Sequence, residues 1–307
     1  MRILFAGTAE IGVQTLRELS KNFEIGLVLT NPDRPKGRSK KLVPSPIKEE
    51  ATALNIPILQ PERLRGDVLK EVASYNCDVL ICFAYGKIFG PKFLSMFSGG
   101  CYNIHPSRLP QFRGSSPIQY AILKNLRQTA ITIQKLSLEV DSGDILAVKD
   151  LDLEENETTL SLTNKVATLS APFAVDTFLK LKNGEITFVP QTGEISYTEQ
   201  FKKEDAFIDW NKSASEISAQ IRAFIPWPKA CTRYGDKVLF LTGVNSVIED
   251  TFDTPGLVVE KRKKQGIVIA CREGSIIIDR LQLQGKKELD FTSFLNGNSK
   301  IISTKLG

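Results

Sequence analysis

The chain has a single histidine, His105, set in Cys101-Tyr-Asn-Ile-His-Pro-Ser-Arg-Leu-Pro110. Asn103 precedes it by two positions, so on an extended backbone the amide and the imidazole leave the same face, and Pro106 biases His105 toward that backbone. An isolated histidine is more often structural than catalytic. Here, however, two polar groups converge at a strand end, which leaves a polar reaction site as open as a structural role. Ser107 has no G-x-S-x-G setting and no second histidine to act as its base, so a nucleophilic triad is poorly supported. A zinc site is equally unsupported, because one histidine and scattered cysteines show no ligand spacing.

Two further segments carry charge suited to chemistry. Glu139-Val-Asp141-Ser-Gly-Asp144 separates two apolar runs, 130–138 and 145–151. By itself it reads as a turn; an acidic side chain there can also reach His105 across a sheet edge. The second segment, 30–46, gathers Arg34, Lys36, Arg38, Lys40 and Lys41 against Asp33 alone. Such a run with Gly37 in it is awkward to bury and is either solvated or a phosphate contact. The turn Ala6-Gly-Thr-Ala-Glu-Ile-Gly12 lacks both G-x-G-x-x-G and G-K-[ST], so a dinucleotide or P-loop site is not expected, although its backbone N–H groups can brush a phosphate.

The elements that must position these residues alternate. Apolar strand-like runs at 3–6, 25–29 and 78–83 are separated by helix-like stretches at 11–19 and 46–54, the order βαβαβ. Near-continuous apolar strands with intervening helices predict a parallel sheet covered on both faces, with ligands bound beyond the strands' carboxyl ends. The basic run follows the second strand and so overhangs that edge. A helix over 159–183 closes this part, and 185–205 loses periodicity and reads as a linker. Ser213 followed by Glu216 is a capping-box pattern opening a helix over 213–224, stopped by Pro226 and Pro228. Short β-branched segments at 238–241, 256–260, 266–270 and 275–283, punctuated by glycines, predict a small all-β barrel. The expected domains are 1–184 and 206–307, joined by 185–205.

Composition sets the class. At 307 residues, with 42% hydrophobic and 24% charged residues, the chain is long enough for two cores and reads as globular rather than disordered or fibrous. Its longest apolar stretches fall well short of the roughly 20 residues that cross a bilayer, and 1–6 runs directly into a strand pattern, so neither a membrane span nor a signal peptide is expected. Five cysteines, none in a C-x-x-C pair, argue against a disulfide framework and fit a reducing cytoplasm. The net charge of +5 lies mainly in the C-terminal third. That bias permits a polyanionic partner, although a solvated lysine-rich face is the commoner cause.

Asn103-x-His105 followed by Asp141 in Asp-Ser-Gly-Asp resembles the catalytic Asn, His and Asp of the folate-dependent formyltransferases. Gly7-Thr8, the 32–46 run, Arg113-Gly114 with Pro117-Ile-Gln119, Ile208-Asp-Trp210, Arg222-Ala-Phe-Ile-Pro-Trp-Pro228, Gly285-Lys-Lys and Phe294-Leu-Asn-Gly297 are similar to the members acting on charged initiator tRNA. Arg108, Phe112 and Ala9 depart from the family's commoner leucine, tryptophan and proline.

The resemblance implies an N-terminal Rossmann-like parallel-sheet formyltransferase domain with a smaller C-terminal OB-like β-barrel domain. It implies 10-formyltetrahydrofolate as co-substrate, without metal, and initiator methionyl-tRNA as partner. The formyl group would pass to the methionine α-amine, with Asn103 and His105 binding the oxyanion and Asp141 helping to remove the amine proton. By the same likeness Ser107, Arg108, Leu109 and Pro110 border the tetrahydrofolate, while Lys87, Ile88 and Phe89 meet its pterin through backbone. Arg34, Lys36, Arg38, Lys40 and Lys41, with the second domain, would hold tRNA. The expected particle is a cytoplasmic monomer with no membrane contact. An amino sugar nucleotide is the alternative acceptor; a noncatalytic RNA-binding module would leave the three polar residues idle.

Overall fold

The computed structural model describes residues 1–36 and 41–307. Its contacts divide the chain into two compact units, one of Met1–Pro117, Gln128–Asp152 and Thr163–Thr198, the other of Ile118–Arg127, Leu153–Leu162 and Glu199–Gly307.

The first unit is built on a seven-stranded sheet. Its strands are β1 (Arg2–Gly7), β2 (Glu24–Leu29), β5 (Ile58–Leu59), β6 (Val79–Phe83), β7 (Cys101–His105), β9 (Gln128–Lys135) and β10 (Ile145–Asp152), ordered β10-β9-β7-β6-β1-β2-β5. The remaining strands, β3 (Arg34–Lys36) with β4 (Lys41–Val43) and β8 (Arg113–Gly114) with β11 (Tyr197–Thr198), form two small separate pairs. Ile3, Leu4, Phe5 and Ala6 of β1 have no exposed surface, and all of β6 is buried. Covering both faces explains why these strands read as unbroken apolar runs.

Neighbours from β5 through β7 run parallel, whereas β7–β9 and β9–β10 are antiparallel. The sheet is therefore mostly parallel with an antiparallel extension. Connection length accounts for the β9–β10 pair, since the short turn between them permits only a hairpin, whereas β7 and β9 are antiparallel across a long connection that includes a helix.

Helices follow local chemistry. The helix α1 (Val13–Asn22) buries Thr15, Leu16 and Leu19. In α2 (Pro46–Ala53) the proline occupies the first turn, where its missing N–H costs nothing, and Ser45 Oγ accepts from Lys48 N at 3.1 Å. Two elements absent from the βαβαβ expectation intervene before β6, namely β5 and α3 (Asp67–Ser74). A two-residue strand carries no periodicity, and α3 buries only Val72 fully. After the four-residue α4 (Pro91–Leu94) and α5 (Pro117–Leu123), the long α6 spans Thr159–Lys182.

In the second unit α7 (Ala214–Ala223) opens with the reciprocal cap expected from sequence: Glu216 N donates to Ser213 Oγ at 3.3 Å, and Ser213 N donates to Glu216 Oε2 at 3.0 Å. Strands β12 (Cys231–Tyr234), β13 (Lys237–Ile248), β14 (Val258–Arg262), β15 (Gly266–Ala270) and β16 (Ser275–Leu283) are antiparallel in the order β12-β13-β16-β15-β14, with β17 (Leu289–Asp290) on β16. Between Leu241 and Ser246 the β13–β16 register shifts, and a Cβ at Gly243 would overlap Asp279 Oδ1. Bulging of this kind curls a long strand, which gives the sheet its half-barrel form.

Because the Ser213 cap satisfies helix N–H groups that would otherwise lack partners, Ser213→Ala should lower stability by about 1 kcal/mol. Chemical denaturation measures this, and an unchanged midpoint would show that the cap contributes nothing.

Candidate active site

Both polar residues singled out on β7 sit at its carboxyl end. His105 is 4% exposed and Asn103 is half-buried, and Asn103 pairs in register with Cys82 of β6 and Gln134 of β9. Asp141 lies on the turn joining β9 to β10, with φ at 51°. That left-handed backbone costs a non-glycine residue on the order of 1–3 kcal/mol, so the surroundings must hold it. A close approach tightens the turn, since a Cβ at Gly143 would overlap the Lys135 carbonyl, and Lys135 N donates to Asp144 O at 2.8 Å.

The carboxylate gathers three donors. Asn103 Nδ2 reaches Oδ1 at 3.2 Å, Gln134 Nε2 reaches the same oxygen at 2.7 Å, and Gly114 N reaches Oδ2 at 2.8 Å. His105 Nδ1 stands 3.5 Å from Oδ2, and its Nε2 is 2.9 Å from the Phe112 carbonyl. A carbonyl only accepts, so the proton on Nε2 is fixed by that contact. Amide, imidazole and carboxylate therefore converge within one hydrogen-bonded cluster.

Residues 107–110 form the adjoining wall. Thr132 Oγ1 donates to Ser107 O at 2.6 Å and accepts from Leu109 N at 3.4 Å, while Ser107 Oγ donates to Gln111 O at 2.6 Å. Leu109 is buried, and Arg108 pairs with Asp150 on β10.

Across from β7, the turn after β6 bears Lys87, Ile88 and Phe89. The rings of Tyr85, Phe89 and Phe93 stack at 5.5 and 5.1 Å, so Phe89 turns its side chain into the core and leaves only backbone toward a ligand. Lys87 Nζ donates to the Pro61 and Glu62 carbonyls, and Ile88 is 83% exposed. Ala84 and Gly86 have positive φ, and nothing lies within 4 Å of a Cβ built on Gly86. An open backbone surface of this kind suits the edge of a flat heterocycle.

The root of the basic run is anchored. Asp33 accepts from Gln60 Nε2 and from Lys48 Nζ, each at 2.7 Å, and these contacts hold its carboxyl below the usual range. Arg34, Lys36 and Lys41 lie on the β3–β4 pair, and Arg34 and Lys41 are exposed. Arg38 and Lys40 lie outside the described residues.

Sequence reasoning did not single out Gln134, the Phe112 carbonyl or Gln191. Gln134 carried a usable signal, as a glutamine in an otherwise apolar run, and it is fully buried. Backbone groups carry none. Among the described residues no group of three or more His, Cys, Asp or Glu could hold a metal ion, and no helix is long and apolar enough to cross a membrane.

At this sheet edge donors able to meet an oxygen stand beside a carboxylate able to meet an amine, an arrangement that suits group transfer. The chain belongs to the formyl transferase family: the formyl transferase model matches residues 1–177 and its C-terminal-domain model matches residues 200–299. Methionyl-tRNA formyltransferase of Lachnospira eligens is 37% identical over 315 residues, covering 100% of both chains. Methionyl-tRNA formyltransferase of Treponema denticola is 39% identical over 317 residues, covering 98% of each. In fold the chain is similar to the N-formyltransferase from Helicobacter canadensis, solved with folinic acid and dTDP-3-aminofucose, with a TM-score of 0.67 at 18% identity over 94% of this chain and 99% of that one.

Burial pushes the thiols of Cys82, beside Asn103 on the neighbouring strand, and of Cys101 and Cys271 up to about 12. Only the thiolate reacts with alkylating reagents. At neutral pH the half-buried Cys77 should be modified first, with Cys82, Cys101 and Cys271 untouched until the chain unfolds. Peptide mass analysis after a timed pulse reads this, and early modification of Cys82 would mean that the floor of the site opens.

Proposed function

We propose that the chain transfers the formyl group of 10-formyltetrahydrofolate to the α-amine of methionine carried on initiator tRNA, for translation initiation. The observation that carries this reading is the convergence of Asn103, His105 and Asp141 at the sheet's carboxyl edge, in a chain whose relatives over its full length bear the methionyl-tRNA formyltransferase name.

The open backbone turn at 84–89 and the internally bonded segment 107–110, in which Ser107, Leu109 and Pro110 are buried and Arg108 is exposed, would take a folate between them. Bound there, folate supplies an activated one-carbon group. Lys87, Ile88 and Phe89 would hold the pterin through backbone, and Ser107, Arg108, Leu109 and Pro110 would border the rest.

The chain's own residues then act on charge and protons. Asn103 spends one amide N–H on Asp141 and has a second to donate to the formyl oxygen as negative charge grows there. His105 brings the Nε2 proton that Phe112 holds at rest; the formyl oxygen takes that donor once the carbonyl yields it. Asp141 would accept the amine proton, directly or through a water, as the new C–N bond forms, and a proton would return to the folate nitrogen as its bond to the formyl carbon breaks.

Arg34, Lys36, Arg38, Lys40 and Lys41, together with residues 206–307, would hold the tRNA through phosphates and its acceptor end. Residues 1–184 form the catalytic domain in this reading, with 185–205 linking it to the barrel. In this reading the chain works as a monomer in the cytoplasm, whose reducing conditions the five free cysteines fit.

The test is formyl transfer to charged initiator tRNA by the wild type and by His105→Ala. Loss of one oxyanion donor costs roughly 10²–10³ in rate, so the folded variant should be impaired by at least that. Wild-type turnover in the variant would remove His105 from the chemistry. Transfer by the wild type to an amino sugar nucleotide but not to charged tRNA would replace the acceptor.

A further inference from the structure

Asp141 depends on a residue fifty positions further along the chain. Gln191 Nε2 lies 2.8 Å from the Asp141 carbonyl, 2.8 Å from the Gly143 carbonyl and 3.1 Å from Gln134 Oε1. Three acceptors thus surround one amide nitrogen, and two of them are backbone groups of the strained turn. Gln134 passes the contact on, because its own Nε2 donates to Asp141 Oδ1. Gln191 is itself held from behind, with Arg113 Nη2 and Nε donating to its Oε1 at 2.8 and 3.2 Å.

Arg113 is 5% exposed, yet it directs two N–H groups at a neutral amide. Its carboxylate neighbour, Glu139, is 67% exposed at the side chain and stands 3.5 Å from Nη1. Burying a guanidinium in this way is costly unless its donors are used, and here two of the three nitrogens are spent orienting one glutamine. The same segment also reaches the imidazole's partner. Phe112 N donates to Ser196 Oγ at 2.9 Å, Arg113 N donates to Ser196 O at 2.9 Å, and Thr198 Oγ1 donates to Arg113 O at 3.1 Å. Residues 191–198 are therefore laced along 110–116, and they fix both the Phe112 carbonyl facing His105 and the turn carrying Asp141.

We infer that Gln191, oriented by Arg113, is a positioning residue for formyl transfer, holding the 141–143 turn so that the Asp141 carboxylate faces His105 and Asn103. This rests on the proposed role of Asp141. A carboxylate displaced by about 1 Å loses near-attack geometry with the amine, at a cost approaching 10²-fold in rate.

The discriminating variant is Gln191→Glu. It keeps the acceptor facing Arg113, with added charge, but removes both N–H donors to the Asp141 and Gly143 carbonyls. Arg113→Lys is the second variant, which keeps the charge and loses the paired contact to Oε1. In the full-length chain, kcat for formyl transfer to charged initiator tRNA should fall roughly 10- to 100-fold in each, with both Michaelis constants within about twofold of wild type. Combining Gln191→Glu with Asp141→Asn should add nothing beyond Asp141→Asn alone, since the glutamine acts through the carboxylate.

Wild-type kcat in a folded Gln191→Glu protein overturns the inference, as does an additive loss in the double variant. If Gln191→Glu does not fold, wild-type kcat in Arg113→Lys overturns it equally. Failure of the wild type to transfer formyl would instead overturn the proposed function, so the two failures are told apart.

Discussion

The arrangement depends on one buried anion. The Asp141 side chain is 10% exposed and sits on a left-handed backbone, and a carboxylate so placed is tolerated only when its lone pairs are used. Hydrogen bonds to charged groups contribute about 1.5–3 kcal/mol each. Three such bonds, from Asn103, Gln134 and the Gly114 N–H, outweigh the strain of the turn. Asn103, Gln134 and the Gly114 N–H all point at this carboxylate, and His105 Nδ1 stands 3.5 Å from it.

The fold supplies the anion's position through its departure from a wholly parallel sheet. The parallel part, β5 through β7, delivers Asn103 and His105 at a carboxyl edge, as doubly wound sheets do. Because β9 pairs antiparallel with β7, Gln134 lies in register with Asn103 while the end of β9 runs toward the amino end of β7, and the following turn folds back so that Asp141 meets Asn103 and His105. On the other side, the aromatic stack from Tyr85 to Phe93 roots the 84–89 turn in the core and leaves its backbone outward. The 84–89 turn and the turn bearing Asp141 thus follow the two strands that neighbour β7.

Much of this was legible in the sequence, in proportion to how local each signal is. The strands β1, β2 and β6 appear as apolar runs because they are covered on both faces, and the Ser213–Glu216 cap is a contact between residues three apart. Asn103 and His105 were legible from strand periodicity alone. Asp141 was legible only in part: its segment read first as a turn, with an acidic side chain able to reach His105, and the resemblance to the formyltransferases picked out Asp141 itself. The antiparallel register that brings it back is a long-range property no window reveals. Gln191 shows the limit most clearly, since a polar, aperiodic stretch reads as a linker whether or not its side chains are used. The strand β5 was missed because two residues carry no pattern.

The most direct measurement of the carboxylate's role compares binding with chemistry in Asp141→Asn. Asparagine keeps the shape and one acceptor but lacks the charge and cannot take the amine proton. Calorimetric titration with a folate analogue should give an affinity within about twofold of wild type, while single-turnover formyl transfer to charged initiator tRNA falls by at least roughly 10²-fold. Transfer at the wild-type rate by the folded variant would contradict the account, because the site would then work without the anion on which its geometry is built.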